Sequence, residues 1–139
     1  MDSNNSTLDL KIKKFLIQYG AEQLIEWLDE FDQMGGPVKF KQFKRIEKLS
    51  CEAFGITIAD MHNLSNTSCT NAKRIIAFIA VGRINLSIPV VSKLMVGASP
   101  RSISYYIKDA ESWISNPMLY RSWVDAYNKI MDKFNSEQP

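Results

Sequence analysis

The chain has 139 residues, 45% of them hydrophobic and 23% charged, enough to bury a core without disulfide or metal staples. Two cysteines without CxxC spacing, Cys51 and Cys69, and a single histidine, His62, exclude a disulfide framework and a zinc site. The net charge is only +2, yet residues 37 to 108 carry eleven basic and three acidic groups, a net +8 flanked by −4 in residues 1 to 36 and −2 in residues 109 to 139. A polyanion is the simplest partner for such a segment.

Helical spacing dominates and no alternating strand of useful length is written, so an all-α fold is expected. The chain should form a compact helical domain over residues 37 to 139, preceded by an acidic N-terminal segment of one helix or a helix pair over residues 1 to 36. In residues 8 to 33, Ile12, Leu16, Tyr19, Leu24, Leu28 and Phe31 recur at helical intervals, with Gly20 as a kink or break. Gln33-Met34-Gly35-Gly36-Pro37 ends that element. A helix from about Lys39 to Phe54 follows, with Phe43, Ile46, Leu49, Ala53 and Phe54 inward and Lys41, Lys44, Arg45 and Lys48 largely outward.

Ile56 to Met61 is a connector or a turn of helix, and Asn63 to Asn71 a polar loop. From Asn71 the residues Ala72, Ile75, Ile76, Ile79 and Ala80 make a broadly apolar helix, central in the domain. Lys73 and Arg74 then stand near the positive end of its dipole, where an arriving anion would be favoured. Ser87 caps a short helix carrying Lys93, Gly97 supplies a tight turn, and Ser99-Pro100 starts a longer helix. Its buried stripe is Ile103, Ile107, Ala110 and Ile114, which leaves Arg101, Tyr105, Lys108 and Ser112 on another face. Asn116-Pro117 opens a last helix to about Phe134, with Leu119, Trp123, Tyr127, Ile130 and Phe134 inward.

A short helix, a glycine turn and a second helix make a helix-turn-helix, whose second helix can enter a DNA major groove. Groove reading requires hydrogen-bonding side chains near that helix's own N-terminus. Arg101, Ser102 and Tyr105 meet this for base edges, and Lys73, Arg74, Ser87, Lys93 and Lys108 suit phosphates. The rival expectation is a protein-interaction module that uses the acidic N-terminal helix or the final helix. Catalysis has no comparable support, because His62, Asp60 and Cys69 sit in one connector without an oxyanion site.

From Ile46 to about Ile130 the chain resembles the C-terminal DNA-binding domain of the bacterial replication initiator DnaA, of the Trp-repressor-like helical group. The resembling stretches are RIEKLSCEAFGITIADM, NAKRIIAFIAV and LSIPVVSKLMVGASPRSISYYIKDAE. The resemblance implies double-stranded DNA as partner, a role in replication initiation or transcriptional regulation, and a phosphate contact for Arg74. The chain departs from the family where Ala98-Ser99-Pro100-Arg101-Ser102-Ile103 replaces its usual Arg-Asp-His opening, and in the uncharged loop HNLSNTSCTN. No GxxxxGK[ST] is present, and no cofactor is expected. MDSNNST lacks the features of a secretory signal, and Ile75 to Val81 is far below the roughly 18 apolar residues of a membrane helix, so a cytoplasmic protein without membrane contact is expected. Its second expected contact is a protein partner, or self-association, through the acidic N-terminal helix.

Overall fold

A computed structural model of the chain describes residues 2–33, 35–95 and 97–137, which are all-helical, without strands. The helices in chain order are α1 (Asp2–Tyr19), α2 (Ala21–Gln33), α3 (Gly36–Ala53), α4 (Ile58–Asn63), α5 (Thr67–Gly82), α6 (Ile88–Leu94), α7 (Pro100–Ser115) and α8 (Arg121–Glu137). They divide into two compact units, residues 1–37 and 38–139.

The first unit is a helical hairpin. Gly20, at φ 87°, is a full break between α1 and α2, a backbone region that side chains bearing a Cβ resist. Phe15, Tyr19 and Trp27 pack across the hairpin, with the Phe15 ring centroid 4.8 Å from Tyr19 and 4.9 Å from Trp27. Met34, within the expected breaker run, lies outside the described residues.

The second unit is built around α5, whose Ala72, Ile75, Ile76, Ala77, Ile79 and Ala80 are all buried. A helix apolar on most of its circumference needs neighbours all round. Here α3 supplies Phe43, Ile46 and Leu49, α4 Met61, α6 Val91, α7 Ile103 and Ala110, and α8 Trp123, Ile130 and Phe134. Among helix pairs, α5 and α7 share the most extensive contact.

Three expected boundaries shift, each for a local reason. The run over residues 33–37 ends α2 at Gln33 as expected, but α3 starts at Gly36 instead of about Lys39, with Pro37 in its first turn, where its missing N–H is not needed. Ala53 in turn is exposed at the end of that helix. The polar run before Asn71 is half helix: Asn66 is the N-cap of α5, its Oδ1 accepting from the Cys69 N–H at 2.9 Å. Asn116 caps the C-terminus of α7, its N–H donating to the Trp113 carbonyl, and α8 starts only at Arg121. Leu119 consequently lies in the intervening turn and is exposed, while Tyr120 stacks on Trp113 at 4.8 Å.

Candidate nucleic-acid interface

Local chemistry sets the geometry of α6 and α7. The Ser87 oxygen accepts from the Val90 N–H and so starts α6 with Pro89 in its first turn. After Met95 the chain turns through Gly97, at φ 82°, and the Ser92 hydroxyl pins the turn by donating to the Ala98 carbonyl at 2.6 Å. Ser99 then caps α7, its Oγ accepting from the Ser102 N–H at 3.1 Å, and Pro100 occupies the first position.

Once α7 starts there, its register is fixed by burial. Ile103 and Ala110 are buried and Ile107 and Ile114 partly buried against the core. The remaining face carries Arg101, Tyr105, Lys108 and Ser112, all exposed. Arg101 Nη2 donates to the Tyr105 hydroxyl at 3.2 Å, and its guanidinium lies 5.6 Å from that ring's centroid. Ser102 is half-buried, with its Oγ 3.1 Å from Ser99 Oγ, so it is turned toward the cap. This helix therefore offers a donor-rich ridge over its first two turns, fitted to anions or to hydrogen-bonding edges.

The other expected phosphate contacts are placed less uniformly. Lys93 and the side of Ser87 lie exposed on and beside α6, although the Ser87 oxygen is engaged in capping. Because α5 begins at Thr67, Lys73 and Arg74 stand in its second turn and not at its N-terminus, which removes the helix-dipole argument for an anion beside them. The Lys73 ammonium donates to the Leu64 carbonyl at 3.3 Å. Arg74 is an internal brace: Nε donates to Asp109 at 3.0 Å, Nη1 to Asn71 at 2.8 Å, and the guanidinium sits 4.5 Å over Trp113.

Sequence reasoning left two features unjoined. Glu47, wholly buried, accepts from Lys44 at 3.3 Å and lies 3.2 Å from His62 Nε2, which gives that histidine a packing partner. Glu47 falls on the inward side of α3, and nothing local announces that His62 reaches it across fifteen positions. The second feature is a cleft on α3 of about 660 Å³ lined by Val38, Lys41, Gln42, Lys44, Arg45, Lys48 and Glu137. The signal was available in the three- and four-residue spacing of its cations.

Cys51 is buried beside Met61, and burial first, then the Glu47 charge, push its thiol up to about 11. Such a thiol is a poor nucleophile at neutral pH. Among the described residues no group of three or more His, Cys, Asp or Glu is placed to hold a metal ion. Nor is any helix of them long and apolar enough to cross a membrane. Comparison with protein-family models, with curated proteins and with solved structures found no match to this chain.

Proposed function

We propose that this is a non-enzymatic, cytoplasmic DNA-binding protein in which α6 and α7 act as a helix-turn-helix. The observation that carries the reading is the exposed Arg101–Tyr105–Lys108 ridge opposite the buried stripe of α7, inside a segment of net +8. Arg101 and Tyr105 approach base edges with Ser102 at their margin, while Lys108, Lys93 and Lys73 take phosphates. Arg74 holds α7 on α5 and acts on DNA only through that positioning. The likeness to the DnaA C-terminal domain supports a role in replication initiation or transcription, while the opening Ser99-Pro100-Arg101-Ser102 of α7 departs from the family's Arg-Asp-His.

Selection of bound duplexes from a random pool, followed by titration across a salt series, tests this. Affinity should fall steeply with salt as counterions are released, and Arg101→Ala should relax preference at one position by about 1–3 kcal/mol. Absence of duplex binding at low salt would sink the reading.

A second reading concerns the first unit and adds a protein contact. Leu8, Tyr19, Ile25, Trp27 and Leu28 are each more than half exposed on α1 and α2. Two helices alone cannot enclose an apolar seam, whereas two hairpins can close it as a four-helix bundle. Charge favours a second copy as the occupant: α1 carries Lys11, Lys13 and Lys14 against Asp2 and Asp9, and α2 carries Glu22, Glu26, Asp29, Glu30 and Asp32 with no cation. A two-fold pairing that sets α1 of one copy beside α2 of the other is attractive, whereas α2 beside α2 is repulsive.

A further inference from the structure

The net +8 of residues 37–108 does not come chiefly from the α6–α7 pair. Five of its eleven cations, Lys39, Lys41, Lys44, Arg45 and Lys48, belong to α3, against Lys93, Arg101 and Lys108 for residues 87–108. Lys41, Lys44 and Lys48 follow each other at three- and four-residue intervals and therefore share one side of the helix. With Arg45 they line the α3 cleft, to which α8 contributes Glu137.

Internal compensation of this charge is partial. Lys44 is paired with Glu47, and Arg45 Nη2 with Glu137 in the last turn of α8. Arg45 Nε, however, is buried without an acceptor, one of two buried side-chain polar atoms left so among the described residues. Lys41 and Lys48 are exposed and have no hydrogen bond or ion pair among the described residues. They lie two turns apart, about 10 Å along the axis, far enough for the two ammonium groups to engage separate phosphates.

We propose that this α3 face is a second binding site, for the phosphodiester backbone of nucleic acid, with Lys41 and Lys48 as the phosphate contacts and Arg45 as a donor released from Glu137 when an anion enters. The inference rests on the DNA-binding reading and deepens it: α7 supplies sequence preference, and α3 supplies charge. A backbone site contributes affinity that is uniform across sequences and steeply dependent on salt.

The test uses the full chain and a fluorescein-labelled duplex of about two helical turns, with anisotropy followed over a salt series. Three proteins are compared with the parent: Lys41→Gln with Lys48→Gln, the same pair changed to Glu, and Arg101→Ala. Both Lys positions are exposed and unpaired among the described residues, and a thermal melt of each variant verifies folding. Losing two phosphate contacts should flatten the slope of log K against log salt by about 1.8. The loss should be equal for selected and random duplexes and larger for the Glu pair. If the α3 variants keep the parental slope and affinity while Arg101→Ala weakens binding, the α3 site is refuted and the α7 reading stands. If Arg101→Ala changes nothing while the α3 variants release DNA, α7 is refuted as the reader and the α3 site stands. Parental protein that ignores duplexes but binds a poly-glutamate chain through these lysines would overturn both, making the face a site for acidic protein segments.

Discussion

Replacing Arg74 by alanine separates a brace from a phosphate contact. Its guanidinium makes one charge-assisted bond to Asp109, one bond to Asn71, and a stack on Trp113 at 4.5 Å. The Asp109 side chain is 43% exposed, so solvent screening limits that pair to well under about 1 kcal/mol. The Asn71 bond contributes about 0.5–1 kcal/mol, and the partly desolvated stack about 1 kcal/mol more. Arg74→Ala should therefore cost on the order of 1.5–2.5 kcal/mol, which for a domain of roughly 100 residues lowers Tm by about 6–20 °C. Arg74→Lys keeps the charge, loses the fork and the stack, and should recover less than half. Thermal unfolding of both variants, with a double-mutant cycle against Asp109→Ala, measures these quantities. An Arg74→Ala protein that melts with the parent yet binds DNA more weakly would refute the brace and restore Arg74 to the phosphate set.

Ile103 anchors α7 in the core with no exposed surface, so Ile103→Ala should destabilise by about 2–5 kcal/mol in urea titrations; a loss under about 1 kcal/mol would show that α7 packs more loosely than described. The buried Cys51 thiol, held protonated up to about pH 11, should resist a thiol-specific disulfide reagent near pH 8 in the folded protein, and prompt labelling would contradict its burial. The sign of its linkage follows from a raised folded pKa: the unfolded thiol ionises first, near 9, so this group's stabilisation is intact below that pH and declines as pH rises toward 11. Trp27→Asp with Leu28→Asp should convert a self-associating chain to a monomer in sedimentation equilibrium, whereas a parent whose mass stays monomeric at all concentrations would rule out the paired hairpins.

What could be read from the chain was what neighbours in sequence decide. The Ser99-Pro100 start, the Gly97 turn and the Ile103–Ile107–Ala110–Ile114 stripe depend on residues within a few positions of one another, and all are present. The start of α5 was missed because Asn63 to Asn71 is rich in residues that serve turns and caps equally well; Asn66 caps, and the following Thr67 to Thr70 are helical. Asn116-Pro117 resembles an N-cap followed by a first-position proline, but the Trp113–Tyr120 stack and the capping bond to Trp113 assign Asn116 to the preceding helix. Arg74 finds Asp109 thirty-five positions away, a pairing that no periodicity announces. Its basic character is visible in the sequence, but whether the charge faces water or a carboxylate is decided by tertiary packing.

That reassignment alters how the domain's charge must be understood. With Arg74 spent on orienting α7, the cations left exposed on α7 are Arg101 and Lys108, too few to hold a duplex at physiological salt by counterion release alone. On the proposed reading they are nonetheless well prepared to contact one. Arg101 is already ordered over Tyr105, so a ligand that accepts from its guanidinium has less side-chain entropy to remove than with a freely rotating arginine. A reader of few charges, pre-set in geometry, works only if another surface supplies the non-specific attraction that brings DNA within reach. On the proposed reading, Lys41 and Lys48, the exposed α3 cations without an ion pair among the described residues, meet that requirement and leave sequence preference to α7.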